Sequence, residues 1–299
     1  PGGGLYGYWT ATPKPETGGR FGFGETLDGI TWKALPPPKV EGIGGGEVGA
    51  IKRIGDNYYM MFGGTLNRLP TMWTLVADQP TGPFRLAAKN KALLSGHTYF
   101  SRFFPTPDGV LVNHHSIARD GQVYFAPLKQ AVLDNEGTLR LGWWKGNEAM
   151  KHRRIEVRMP APANPTPEMV FLENTFDVQA GVILEAQVVL PAAKGQRRGL
   201  YIDCGQGLGG AVLLEADGTA QFGTMKPDGT GFQVEKTANR DMAFVSPATL
   251  RLLLKGPLME IYLNDILLEC FSLPAPASGR IALITGGVPD AFGRLAAWH

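Results

Sequence analysis

The sequence predicts an all-β chain whose first half is built of propeller-like sheets and whose second half is an antiparallel β-sandwich. Three observations carry this. Short strands rich in aromatic and β-branched residues recur along the first 143 residues, with Gly, Asp, Asn and Pro turns between them. No segment of any length shows the 3.6-residue apolar period of an amphipathic helix. After a proline-rich stretch at 158–168 the strands become longer and alternate more regularly.

Residues 5–36 give three short strands, around Leu5–Ala11, Arg20–Thr26 and Thr31–Ala34. Residues 47–88 repeat the theme with a strand in front: Val48–Ile54, Tyr58–Phe62, Met72–Asp78 and Phe84–Ala87. The turn Gly55-Asp56-Asn57 makes the first two a hairpin. Residues 97–143 repeat it again, with strands at Tyr99–Phe104, Val110–Ile117, Gln122–Leu128 and Thr138–Trp143. The interval from Gly55 to Gly109 matches one propeller blade plus a loop, since blades run roughly 40–50 residues. The expected organisation is therefore propeller blades over 1–157, a Pro-rich linker over 158–168 and a β-sandwich over 169–299. Strands are expected at Gly181–Leu190, Gly199–Asp203, Gly210–Glu215, Ala220–Thr224, Thr249–Lys255, Met259–Leu263, Ile266–Phe271 and Arg280–Thr285, with hairpin links at Asp217-Gly218 and Asn264-Asp265.

Composition narrows the function classes. A net charge of +2, with Lys and Arg scattered, argues against nucleic acid and anionic membrane as partners. Two cysteines, Cys204 and Cys270, make no disulfide framework and read as buried free thiols. The run Gly205-Gln206-Gly207-Leu208-Gly209-Gly210 follows a strand with no helix after it, so it is no nucleotide loop, and no cofactor is expected. No signal-peptide pattern or initiator Met opens the chain, which reads as starting inside a larger protein.

Blade geometry then selects candidate site residues. The start of a blade's first strand and the end of its second share one face of the disk. Glu47, in a glycine-rich setting at the start of a first strand, is the candidate catalytic proton donor. The same rim should carry Trp9 and Thr10, Phe62 and Gly63, Asn113, His114, His115 and Ser116, and then His97, Tyr99 and Arg102. Of these, Trp9, Phe62, His97, Arg102, Asn113, His114 and His115 are the candidate substrate-binding residues. Aromatic rings, polar groups and a carboxylate are what a sugar site needs. Trp9 can equally pack between blades, and Arg102 can equally form an ion pair with Glu47. His114 and His115 must point to opposite faces of a strand, a poor metal pair, and no metal site is expected.

Two runs resemble a known group of enzymes. Phe21-Gly22-Phe23-Gly24-Glu25-Thr26-Leu27-Asp28-Gly29-Ile30-Thr31-Trp32 is similar to the S-x-D-G-x-x-W unit of five-bladed propeller glycosidases. Glu47 with Gly55-Asp56-Asn57-Tyr58-Tyr59 resembles their acid-bearing hairpin. These are glycoside hydrolase families 32 and 43, which cleave fructans and arabinans. Leu250-Arg251-Leu252-Leu253-Leu254-Lys255-Gly256-Pro257-Leu258-Met259-Glu260-Ile261-Tyr262-Leu263-Asn264 is similar to the sandwich signature of family 32, with Lys255 where an Asp is usual. Val48 follows Glu47 where family 32 has Cys.

The resemblance implies a partial five-bladed β-propeller followed by a β-sandwich. It implies hydrolysis of a furanosyl or related oligosaccharide, with Glu47 as general acid. The family's nucleophile or base Asp and its transition-state-stabilising Asp would lie on blades preceding this chain. Their expected source is the missing N-terminal part of the propeller or a partner chain, and self-association could also cover the open face. The alternative is a non-catalytic carbohydrate-binding propeller–sandwich protein; a third reading is a structural propeller–sandwich whose rim binds protein.

Overall fold

The computed structural model describes residues 4–11, 21–36, 47–66, 69–89, 91–215, 217 and 219–299. The expected glycines at 44–46 before Glu47, and Gly218 of the Asp217-Gly218 link, lie outside these residues. The chain divides into two compact units: residues 1–115 with 129–140, and residues 116–128 with 141–299.

The first unit opens with a three-stranded antiparallel sheet of β1 (Leu5–Thr10), β2 (Phe21–Thr26) and β3 (Lys33–Leu35). A second sheet follows with the order β4 (Glu47–Ile54), β5 (Asn57–Leu66), β6 (Leu69–Ala77) and β7 (Arg85–Leu86), with β8 (Ala92–Ser95) also pairing β6. Strand β4 turns into β5 through Gly55-Asp56; Ile54 faces Asn57 across the pair, and Gly55 takes φ +60°, which glycine adopts without steric cost. Then come β9 (Thr98–Thr106) and β10 (Gly109–Ile117), which pair with each other. The apolar face of the second sheet buries Met60, Phe62, Leu75, Ala77 and Phe84, against which Tyr8 and Val48 pack. Tyr8 of β1 ties the first two sheets together: its ring meets Phe84 edge-on at 5.7 Å and its hydroxyl donates to the Pro80 carbonyl.

After β10 the structure departs from the expected pattern. The strand expected over Gln122–Leu128 is only β11 (Val123–Phe125), and β10 takes β12 (Lys129–Leu133) as a further neighbour, followed by β13 (Leu139–Trp143). Pro127 explains part of this: with no backbone N–H it cannot continue a paired strand.

The second unit also holds a short 3₁₀ helix, Lys145–Met150, and a two-residue strand β14 (Arg154–Ile155). Residues 158–168 then run without strand or helix. The sandwich strands are β15 (Met169–Phe171), β16 (Val182–Val188), β17 (Arg198–Asp203), β18 (Gly209–Leu214), β19 (Ala220–Met225), β20 (Gln233–Ala238), β21 (Ala248–Lys255), β22 (Leu258–Leu263), β23 (Ile266–Ser272), β24 (Ile281–Ile284) and β25 (Phe292–Trp298). One sheet runs β15-β24-β17-β18-β19-β20; the other runs β13-β23-β22-β21-β16-β25-β14. Alternate residues of the two, among them Leu184, Ile202, Val212, Phe222, Leu252, Ile261, Phe271 and Leu283, bury one continuous core. The Asn264-Asp265 link has positive φ at both residues, the conformation that suits a two-residue hairpin. Neither Cys204, which is half-buried, nor Cys270, which is buried, forms a disulfide.

Glycine sets how closely two sandwich strands approach. A Cβ on Gly199 would sit 1.8 Å from the Val212 carbonyl oxygen of the neighbouring strand, and that backbone cannot swing aside as a side chain can. Gly199→Ala is expected to lower the unfolding free energy by about 2–3 kcal/mol, read as a fall in the urea midpoint. An unchanged midpoint would show that the strands separate freely there.

Candidate active site

The site is assembled where β9 lies across the hairpin of β4 and β5. Glu47 opens β4 opposite Gly63 of β5. The register then slips between Val48 and Ala50, leaving Gly49 as an extra residue in β4. Such a bulge bends a strand and redirects the side chains beside it. The Val48 backbone N–H donates to the Thr10 hydroxyl at 3.2 Å, which holds the bulged start of β4 to the end of β1.

Both glycines of this hairpin make room for β9. A Cβ on Gly49 would lie 2.8 Å from the Met61 carbonyl and 3.1 Å from the Ser101 carbonyl. A Cβ on Gly63 would lie 2.6 Å from the Tyr99 hydroxyl oxygen. Tyr99 therefore lays its ring over Gly63, the residue opposite Glu47, and its hydroxyl hydrogen-bonds to the Glu47 carboxylate. Burial first, and then the charge of Glu47 and the hydrogen bond to it, raise the Tyr99 phenol above its ordinary value. Tyr99 thus stays protonated and donates to the carboxylate.

Next to Tyr99, Phe100 has φ +56°, a left-handed conformation that is costly for a bulky residue. It breaks the two-residue period of β9, so the buried residues around it, Thr98 and Ser101, are three apart. The Phe100 ring stacks on His115 of β10 with centroids 5.7 Å apart, and the Arg102 guanidinium lies 3.8 Å from the same ring's centroid. Arg102 also donates to the carbonyls of Gly49 and Ser101. Its place is thus on the backbone of the β4 bulge rather than in the ion pair with Glu47 that the sequence allowed.

The structure gathers some of the expected residues and separates others. Glu47, Tyr99, Arg102 and His115 come together on β4, β9 and β10, joined by Phe100, which the sequence reading passed over. His97, in the turn before β9, and Asn113, on β10, are half-buried nearby in sequence. Phe62 is a correction: it is fully buried in the apolar core of the unit and has no surface to offer a ligand. His114 is another: it points to the opposite side of β10 from His115 and is fully buried, with its Nδ1 at the His115 carbonyl. Trp9 is a third. It alternates with Thr10 along β1, and Thr10 is the one that meets β4; the Trp9 indole lies instead over Gly22.

No family model matches the chain, and no curated protein matches it by sequence. Solved structures do match in fold. The Bombyx mori GH32 beta-fructofuranosidase aligns over 99% of this chain and 76% of its own, with a TM-score of 0.50 and 9% identity. Fructofuranosidase from Schwanniomyces occidentalis, complexed with fructose, aligns over 93% of this chain and 65% of its own, at TM-score 0.57 and 10% identity. Fructan 1-exohydrolase IIa from Cichorium intybus aligns over 93% and 66%, at TM-score 0.56 and 10% identity. The chain thus spans just under two thirds of the length of the last two. Its fold is the all-β propeller–sandwich fold of these solved structures.

His114 yields a pH test that is independent of activity. Burial, reinforced by the positive charge of nearby Lys129, holds its imidazole well below the ordinary value of 6.5. The folded chain keeps it neutral at pH values where the unfolded chain takes up a proton. Its contribution is therefore complete above 6.5 and is lost as pH falls from there toward the depressed folded value, at about 1.4 kcal/mol per pH unit. Unfolding free energies of wild type and His114→Gln at pH 7.5 and pH 5 should diverge by that slope; parallel pH profiles would refute the neutral histidine.

Proposed function

We propose that the chain is the C-terminal portion of a glycoside hydrolase acting on furanosyl or related oligosaccharides, with Glu47 as its general acid. The observation that carries this reading is the Glu47 carboxylate at a bulged strand start, hydrogen-bonded by Tyr99 across Gly63. Its fold is shared with fructofuranosidases and a fructan exohydrolase.

Glu47 would protonate the glycosidic oxygen as the bond to the leaving group breaks. The Tyr99 hydroxyl, hydrogen-bonded to the carboxylate, would orient it for that transfer. Phe100 and His115 supply ring faces, and Arg102, braced on the Gly49 carbonyl, supplies a fixed cation. The second carboxylate of the reaction, nucleophile or base, comes in this proposal from the N-terminal part of the propeller or a partner chain.

The test compares Glu47 with its uncharged isostere, in the protein together with any polypeptide that co-purifies with it. Glu47→Gln should cut release of monosaccharide from fructan and arabinan oligosaccharides by about 10²–10⁴-fold while leaving oligosaccharide binding by calorimetry essentially unchanged. Equal release by both proteins would remove Glu47 from the chemistry. Binding without release in either would favour a carbohydrate-binding module, and no binding at all would end both readings.

A further inference from the structure

We propose that Arg102 is a positioning residue: it holds the β4 bulge at Gly49, and through that bulge it fixes the face of the sheet on which Glu47 stands. This geometry stands apart from the hydrolase reading, on which only its kinetic consequence rests.

The bulge decides where Glu47 points. Counting from the turn, Ile54 lies opposite Asn57, Lys52 opposite Tyr59 and Ala50 opposite Met61. Continued without interruption, that register would place Glu47 opposite Gly64. Directly opposed residues share a face, and Gly64 alternates onto the face of Met60 and Phe62, the buried apolar core of the unit. The extra residue at Gly49 changes the count. Val48 comes to lie opposite Phe62 and packs against the core, while Glu47 comes to lie opposite Gly63, on the face of Met61. That is the face that β9 covers: the Ser101 hydroxyl reaches the Met61 sulfur, and the Tyr99 ring lies over Gly63. Without the bulge, the strand would press a carboxylate against Met60 and Phe62 and turn Val48 toward Tyr99, a costly exchange.

A bulge leaves backbone groups outside the ladder, and buried ones need partners. Gly49 is buried and has no residue opposite it on β5. Its carbonyl accepts instead from Nη1 of Arg102. The same nitrogen donates to the Ser101 carbonyl at 3.0 Å, so its two hydrogens tie the bulged residue of β4 to β9. Thr10 takes the Val48 N–H, one residue along, and leaves the Gly49 carbonyl to Arg102.

The guanidinium is itself held in place. It is half-buried, lies 3.8 Å from the Phe100 ring centroid, and that ring stacks on His115. A planar fork resting on a ring aims its N–H groups in fixed directions, which an ammonium on a flexible stem does not. Arg102 therefore acts on Glu47 through the backbone of β4, without touching the carboxylate.

Two measurements test this on the purified protein together with any polypeptide that co-purifies with it. The first needs no activity. With tyrosine labelled at Cζ, the NMR resonance of Tyr99, assigned by its absence from Tyr99→Phe, reports the hydrogen bond to Glu47. Arg102→Gln should move it in the same direction as Glu47→Gln does. Arg102→Lys, which keeps a donor within reach of the Gly49 carbonyl, should leave it nearer to wild type. The second measurement is release of monosaccharide from fructan and arabinan oligosaccharides. Arg102→Gln should lower kcat by about 10–100-fold while KM changes far less, and Arg102→Lys should recover part of the loss. In the Glu47→Gln background the same change should cost nothing further. Arg102→Met replaces Arg102→Gln in both measurements if that chain does not fold. A Tyr99 resonance that Glu47→Gln moves and Arg102→Gln does not would overturn the proposal, whether or not the protein hydrolyses sugars. So would a rise in KM with kcat unchanged, which would make Arg102 a substrate contact alone. If the wild type releases no sugar, the hydrolase reading fails, and the resonance still decides the role of Arg102.

Discussion

The candidate site depends on one steric constraint, the close approach of β9 to the hairpin of β4 and β5. Gly49 and Gly63 stand where any side chain would strike a carbonyl of the hairpin or of β9, or the Tyr99 hydroxyl. Removing two β-carbons lets the strand settle close enough for Tyr99 to cross the sheet and reach Glu47. The approach has a conformational cost, because Phe100 is forced into the left-handed region, about 1–3 kcal/mol for such a residue. Buried neighbours on either side, Thr98 and the Ser101 hydroxyl that reaches Met61, hold it there. Strain is thus concentrated beside the Glu47 carboxylate.

This division also explains what the sequence disclosed. The all-β class, the Gly55-Asp56 hairpin and most sandwich strands follow from period-2 patterning and turn chemistry, both local properties. The register of the turn alone would set Glu47 opposite Gly64; the bulge at Gly49 moves it to Gly63. The role of Tyr99 does not follow from local patterning either, because it depends on a bulge at Gly49 and a left-handed residue at Phe100. Nothing about a phenylalanine announces positive φ, whereas the Gly and Asn at other turns do. Once the alternation breaks, counting residues along β9 no longer tells which side a side chain faces. Phe62 and Trp9 failed for a different reason. Each sits at the correct end of its strand, but strand end alone does not fix side: Phe62 alternates into the core, and Trp9 alternates away from β4.

The sandwich uses its polar residues in another way. Arg251 is buried between Glu185, at 2.7 Å, and Asp265, with its guanidinium 4.2 Å from the Trp143 ring centroid. Lys236 and Arg240 converge on the buried Glu269. Tyr262 donates to Glu260 at 2.8 Å, and burial, then that carboxylate, push its phenol well above the ordinary value. Desolvating such groups offsets much of their mutual attraction, so they contribute little net stability. Their effect is on register. A one-residue slip of β21 against β16 would part Arg251 from Glu185 and turn every apolar side chain of the strand outward.

The same reasoning applied to the first unit bears on its chemistry. Glycoside hydrolysis by the two-carboxylate route needs a second acid about 5–5.5 Å from the first for retention, or about 6.5–9.5 Å for inversion. Several carboxylates described in this unit have other roles. Glu25 pairs with Lys33, Asp78 with Arg85, Glu136 with Lys89 and Asp134 with Arg140, while Asp28 caps its own loop. Asp56 sits in the β4–β5 turn, at the far end of the hairpin from Glu47, beside Arg53. Moving any of these to Glu47 would break a turn or an ion pair and carry a strand end across the hairpin. Arg102 cannot substitute, since a guanidinium offers donors only and no acceptor for a proton from water. Under the proposed function, the described residues of this unit would supply the donor half of an acid–base pair, and the acceptor half would approach Glu47 from the side that Tyr99 leaves open.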